Sequence, residues 1–244
     1  MFLRMDYLDP YFLITVFVAI FSILYAYLKK KIDLSAVIAS GTVGFIVLFS
    51  LGDDWPLIYL ILAFFGVGNF ITKYRYSIKK RYRVAEGVRT FRNVFGNGGA
   101  ATVFSIFFFI TRLPPLLLGL LGAMATASAD TFATEVGQAH EKNPRLITTL
   151  KRVKVGRSGA ISIYGLTAAL IGASIISIIP PFFGKNWAIL PIGTLAGFLG
   201  CLVDSFIGAT IERKKLDKHV TNFIATTCGG LVAILLGKYL GIFI

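Results

Sequence analysis

The chain has 244 residues, 56% of them hydrophobic and only 15% charged, with a mean hydropathy of +0.76. Soluble domains carry about 25% charged residues, so the composition excludes an ordinary soluble protein and leaves a polytopic membrane protein of the all-α class. The net charge of +13 would suit nucleic acid, but no stacking or groove-reading element accompanies it, and it reads as topology and attraction to anionic lipid.

The first apolar run, 11–28, follows Asp6 and Asp9. A secretory signal needs a positive flank and a cleavage site, and a transit peptide needs an Arg- and Ser-rich leader. This run therefore reads as a first membrane span, with the cell membrane of a prokaryote or archaeon as the expected location. Further runs near the ~20 residues that cross a bilayer lie at 34–51, 55–71, 98–110, 115–136, 158–179, 187–211 and 222–244. Eight helices are expected in one domain, 1–244: N-terminal helices over 1–71, a basic loop over 72–97, and a catalytic bundle over 98–244. Cys201 and Cys228 fall inside apolar runs without CxxC or Cys/His spacing, so neither a disulfide framework nor a zinc site is expected.

Charge orients these spans. The connections 29–33, 72–97, 138–157 and 212–221 carry 21 of the 25 Lys and Arg residues. The positive-inside rule puts these connections in the cytoplasm and both termini outside.

On that orientation the fifth and seventh helices end on the cytoplasmic side, and each end carries acids. Asp130 and Thr134 differ by about 40° around a helix and share a face, as do Asp204, Gly208 and Glu212, whereas Glu135 is about 140° from Asp130. Glu135 and Glu212 lie so near the interface that helix-end solvation explains them as well as function does. Asp130 and Asp204 lie deeper, and an intramembrane carboxylate is a functional candidate. Carboxylates at helix C-termini suit a divalent cation. The starts of the fourth, sixth and eighth helices, FGNGGAAT, GRSGAIS and TNFIATT, combine small residues with Asn, Ser or Thr. Unpaired N–H groups at helix N-termini suit phosphate. Candidates there are Asn97, Gly98, Gly99, Arg157, Ser158, Gly159 and Asn222. The string Gly96 to Ala101 fits G-x-G-x-x-A, but no strand precedes it and a dinucleotide fold fails.

The two acidic segments also look like a repeat. Asp130-Thr-Phe aligns with Asp204-Ser-Phe, and small residues recur four and seven positions earlier, at Thr126 and Ala123 and at Gly200 and Gly197. Helices five–six and seven–eight thus read as parallel duplicates, whose small-residue faces could meet and present both aspartates to one centre.

The segments GVRTFRNVFGNGGAA, ASADTFATEVG, RLITTLKRVKVGRSGAISIYG, VDSFIGATIE and HVTNFIATTCGG, in this order, resemble the integral-membrane prenyl-phosphate kinase family, whose plant members make phytyl diphosphate for vitamin E synthesis. The resemblance implies transfer of the γ-phosphoryl group of CTP or another nucleoside triphosphate to a prenyl monophosphate such as phytyl or geranylgeranyl phosphate. It implies Mg²⁺ held by Asp130 and Asp204 with Glu135 and Glu212 assisting, and Arg157 acting with the two aspartates in catalysis. Phosphate contacts would come from the helix-start residues above, with Arg89, Arg92, Lys151, Arg152 and Lys154 behind them. The implied partners are the nucleotide, the lipid and the membrane, with no nucleic acid; association of two chains stays open. The competing class is a secondary transporter, since repeated helices and buried acids also mark carriers.

Overall fold

The computed structural model describes residues 9–211, the backbone of Glu212, and residues 216–244. It is a helical bundle, with long helices α1 (Pro10–Leu28), α2 (Leu34–Leu51), α3 (Tyr59–Lys73), α5 (Phe91–Thr111), α6 (Pro115–His140), α7 (Ile163–Ser177), α9 (Ile189–Ile207) and α10 (Lys218–Leu240). Two short helices, α4 (Tyr76–Arg81) and α8 (Ile179–Phe182), lie between them. The expectation of an all-α membrane protein holds. A two-stranded antiparallel pair, β1 (Arg145–Leu146) with β2 (Ala160–Ile161), pins the loop before α7.

Continuous helix over Leu34–Lys73 would be 40 residues, about 60 Å, twice the ~30 Å hydrocarbon core. It doubles back instead. Gly52 takes φ +59° at the end of α2, and a 3₁₀ stretch with Pro56 leads into α3. Arg89 proves the hairpin: its carbonyl accepts from Asp33 N at 3.0 Å and its guanidinium donates to Thr72 Oγ1 at 3.0 Å. The start of α2 and the end of α3 thus lie together at the basic end of the bundle. Among the described residues, seven apolar helical runs, one of them bent into a hairpin, account for the eight passes read from the sequence.

The bundle is built around α6. Its most apolar stretch is 78% buried, against 17–44% for the other runs, so α6 is the axis and the others its shell. Its length is lined with Gly, Ala, Ser and Thr, which let neighbouring backbones approach closely. A Cβ on Gly122 would sit 2.5 Å from the Gly229 carbonyl oxygen of α10, and one on Gly172 of α7 would sit 2.8 Å from that of Ser128. The Ser128 hydroxyl donates to the Gly172 carbonyl at 2.8 Å. Against α9, Gly193 meets Leu121, Gly197 meets Ala125 and Gly200 meets Thr126. Both chains advance together along that seam, so α6 and α9 are parallel, as the duplicated motif predicts.

The basic end is tied by a buried ion pair. Lys79 of α4 is fully buried and pairs with Glu135 of α6, while its Nζ also donates to the Thr72 carbonyl at 2.7 Å. At the opposite end Lys185 pairs with Asp54 at 2.7 Å.

Removing one member of a buried pair strands a charge, whereas an apolar pair of similar volume can be neutral. Lys79→Met is expected to cost about 3–5 kcal/mol, and Lys79→Met with Glu135→Leu to recover most of it, read by thermal unfolding in detergent. At the start of α2, hydrogen bonds from Ser35 (2.6 Å) and the Ala36 amide (2.8 Å) hold the Asp33 carboxyl below its ordinary value. A depressed carboxyl pKa stabilises the fold above the unfolded value and is lost as pH falls through the folded one. Amide protection at the first turn of α2 should therefore fall only below about pH 4, and Asp33→Asn should flatten that dependence.

Candidate functional site

At the basic end, α6, α9, the start of α7, Pro144, the loop 155–162 and the first residue of α10 line a cleft of about 180 Å³. The parallel seam between α6 and α9 sets its floor. With Gly200 against Thr126, the next turn of each helix brings Asp130 and Asp204 to the same space, which buried Cys201 also lines. Thr134 and Gln138 continue the α6 wall one and two turns on, and Ser205 adds a hydroxyl from α9.

The opposite wall is the loop Gly156-Arg-Ser-Gly159. Gly156 and Gly159 take φ of +83° and +76°, a region L side chains rarely adopt. The Arg157 amide donates to the Lys154 carbonyl at 3.1 Å, and the Ala160 amide to the Arg157 carbonyl at 3.1 Å, making consecutive tight turns. Gly159 also abuts the backbone of Ala209, where α9 loosens into a π turn over Gly208–Glu212. A β-carbon at Gly159 has no room. Arg157 and Ser158 are thereby presented, half-buried, across the cleft from the two aspartates.

The structure thus gathers Asp130, Asp204, Arg157, Ser158 and Gly159 in one place. Cations and carboxylates facing each other across a small polar cleft can hold a phosphate and a divalent ion side by side. Among the described residues no cluster of three or more His, Cys, Asp or Glu is arranged to hold a metal. Two carboxylates are a poor dedicated cage, but they suit Mg²⁺, which keeps waters and substrate phosphates as its other ligands.

Other sequence candidates lie elsewhere. Glu135 faces away from the cleft and is taken by Lys79. Glu212 as a side chain lies outside the described residues. The helix start expected at Gly98 is displaced: α5 begins at Phe91, with Thr90 and Asn93 forming a capping box. Asn97, Gly98 and Gly99 therefore sit in the second turn and beyond, where their N–H groups are committed to the helix and cannot cradle phosphate. The glycines serve packing, with Phe223 of α10 crossing over Gly99 at 3.0 Å from where a Cβ would stand. Likewise α7 starts at Ile163, with Ser162 as its cap, so Arg157–Gly159 form a turn and not a helix start. Asn222 is inside α10, 8% exposed, donating to Asn97 Oδ1 at 3.1 Å. Arg89 binds Glu86 and Thr72 beside a different cavity, and Arg92 reaches Asp217 at 3.4 Å. Lys151, Arg152 and Lys154 are exposed outside the cleft.

Sequence reading missed Lys218, which lines the cleft from the foot of α10. Its only signal was a place in a basic loop, shared with many cations that do not enter the site.

Gly159→Ala should strain the backbone by about 1–3 kcal/mol before any clash is counted. It is expected to lower thermal stability and open the cleft to proteolysis at the loop. Gly87→Ala, where a Cβ meets nothing within 4 Å, should be neutral in the same assay.

The family described as "Integral membrane protein DUF92" matches residues 17–238. An uncharacterized membrane protein of Methanocaldococcus jannaschii is 33% identical over 238 residues, 96% of this chain and 98% of that one. Two Arabidopsis thaliana proteins are each 31% identical: Protein PGR over 77% of this chain and 74% of its own length, and Protein VTE6, chloroplastic, over 74% and 58%. No solved structure matches the chain. With a family match across nearly its whole length and the archaeal relative aligned end to end, the chain belongs to the DUF92 family of integral membrane proteins, the family its motifs resemble.

Proposed function

We propose that the protein is a Mg²⁺-dependent kinase that transfers the γ-phosphoryl group of a nucleoside triphosphate, CTP or another, to a prenyl monophosphate at the cytoplasmic membrane face. The observation that carries this reading is the cleft in which Asp130 and Asp204 face Arg157, Ser158 and Lys218 at the basic end of the bundle. The positive-inside bias supports a cytoplasmic position for that end, where nucleotide is available.

The chemistry asks for little beyond this. An acceptor phosphate oxygen attacks the γ-phosphorus, the bond to the β,γ-bridging oxygen breaks, and a nucleoside diphosphate leaves. The acceptor is already anionic at neutral pH, so no general base is needed. Phosphoryl transfer depends on positioning and on neutralising charge spread over the phosphoryl oxygens. Arg157 and Lys218 supply fixed positive charge, and Ser158 and Thr134 supply hydroxyl donors. Asp130 and Asp204 are the pair that would hold Mg²⁺; when bound, the ion offsets phosphate charge and fixes the nucleotide's orientation. The hydrogen-bonded turn around Arg157, packed through Gly159 against Ala209, holds its cation in place for transfer.

Purified protein with Mg²⁺, labelled nucleotides and geranylgeranyl or phytyl monophosphate should yield the prenyl diphosphate, identified by mass. Asp130→Asn and Asp204→Asn are each expected to lower turnover by about 10² or more while leaving the unfolding temperature near wild type. Turnover at the wild-type rate in both variants would sink the metal assignment. Release of pyrophosphate instead of a nucleoside diphosphate would sink the kinase reading.

A further inference from the structure

A second cavity of about 370 Å³ lies between α1, α2, α3 and the first half of α5, and it shares no lining residue with the carboxylate cleft. Its walls are overwhelmingly apolar. Its α2 wall runs from Ser40 to Leu48, about 12 Å at 1.5 Å per residue. Its α2 wall is bare where Gly41 and Gly44 stand, since a Cβ on either meets no atom within 4 Å. An apolar cavity of this volume, bounded by membrane helices, has room for one hydrocarbon chain.

Its basic end has a different chemistry. Arg89, Asn93 and Asn97 line it. Lys31 stands near both Lys73 and Arg89; partial burial first, then repulsion by these neighbours, holds its ammonium below its ordinary pKa. Glu86 is the carboxylate paired with Arg89, so local charge is strongly positive and an anion there would relieve repulsion. The polar end also points toward the cleft. Asn97 accepts from Asn222, whose Oδ1 is buried without a hydrogen-bond partner, and Asn222 lies one helical turn from Lys218 of the cleft.

We propose that this groove binds a lipid with one hydrocarbon chain and a phosphate head, the chain lying along Gly41 and Gly44 and the head meeting Arg89 and Asn93. The identity of that lipid as the phosphoryl acceptor rests on the function proposed above; the groove's selectivity for chain and charge does not. Glycine at positions 41 and 44 is then a specificity device, because any larger side chain would occupy the slot without displacing another residue.

The test is retention of geranylgeranyl monophosphate, without nucleotide, by the whole protein in nanodiscs, measured by native mass spectrometry. Wild type should retain the monophosphate in preference to geranylgeraniol. Gly44→Phe and Gly41→Leu should each weaken retention by about tenfold or more, since several methylenes lose their burial. Arg89→Gln should erase the preference for the phosphate over the alcohol. Equal retention by wild type and a folded glycine variant overturns the proposal, and either glycine variant suffices should the other not fold. Wild-type retention without any nucleotide-dependent turnover would overturn the kinase reading and leave the groove standing. Turnover in Gly44→Phe with wild-type dependence on lipid concentration would overturn the groove and leave the kinase.

Discussion

The close contact of α6 with α7, α9 and α10 is the constraint on which the rest of this molecule depends. In lipid there is no hydrophobic gain from pressing one apolar helix on another, so association must come from van der Waals packing and interhelical hydrogen bonds. Both need backbones near each other. The run of Gly, Ala, Ser and Thr along α6, matched by Gly172, Gly193, Gly197, Gly200 and Gly229 on its neighbours, provides that proximity. Bulk is banished to the outside, where Phe45, Phe107 and Tyr239 are exposed along the bundle surface.

This packing also sets the chemistry. Two parallel helices locked in register by Gly197 on Ala125 and Gly200 on Thr126 deliver their aspartates to the same depth. A carboxylate in a membrane segment is costly, and it persists when it faces an interior cavity or a partner. The bundle shows both solutions side by side on one helix. Asp130 opens on the polar cleft, while Glu135, little more than one turn on but on another face, is buried against Lys79. One acid belongs to the site and the other anchors α4.

Apolar and polar cavities are likewise kept apart, then joined at one wall. The cleft collects carboxylates and the Arg157 turn; the groove collects hydrocarbon surface and ends in cations. Asn97 and Asn222, bonded to each other, stand where α5 and α10 cross between them. Sequence reading assigned both asparagines to phosphate cradles, because a small polar stretch before an apolar run looks like a helix start. Here the cap lies seven residues earlier, at Thr90, since a capping box sets a helix end more strongly than glycines do.

Much of this was legible in the residues themselves. Hydropathy and the placement of Lys and Arg determined the number of passes and the basic end, because a bilayer imposes length and charge asymmetry on any chain that crosses it. The duplicated Asp-Thr-Phe and Asp-Ser-Phe, each behind small residues, determined that two aspartates would meet. Helix starts, the partner of Glu135, the entry of Lys218 into the cleft and the existence of the groove were not legible. They are products of contacts between residues tens of positions apart: Lys79 with Glu135, Gly159 with Ala209, Arg89 with Asp33 and Thr72. Local pattern encodes what lipid and the single helix demand, and only tertiary packing decided which polar groups face a cavity and which are spent on one another.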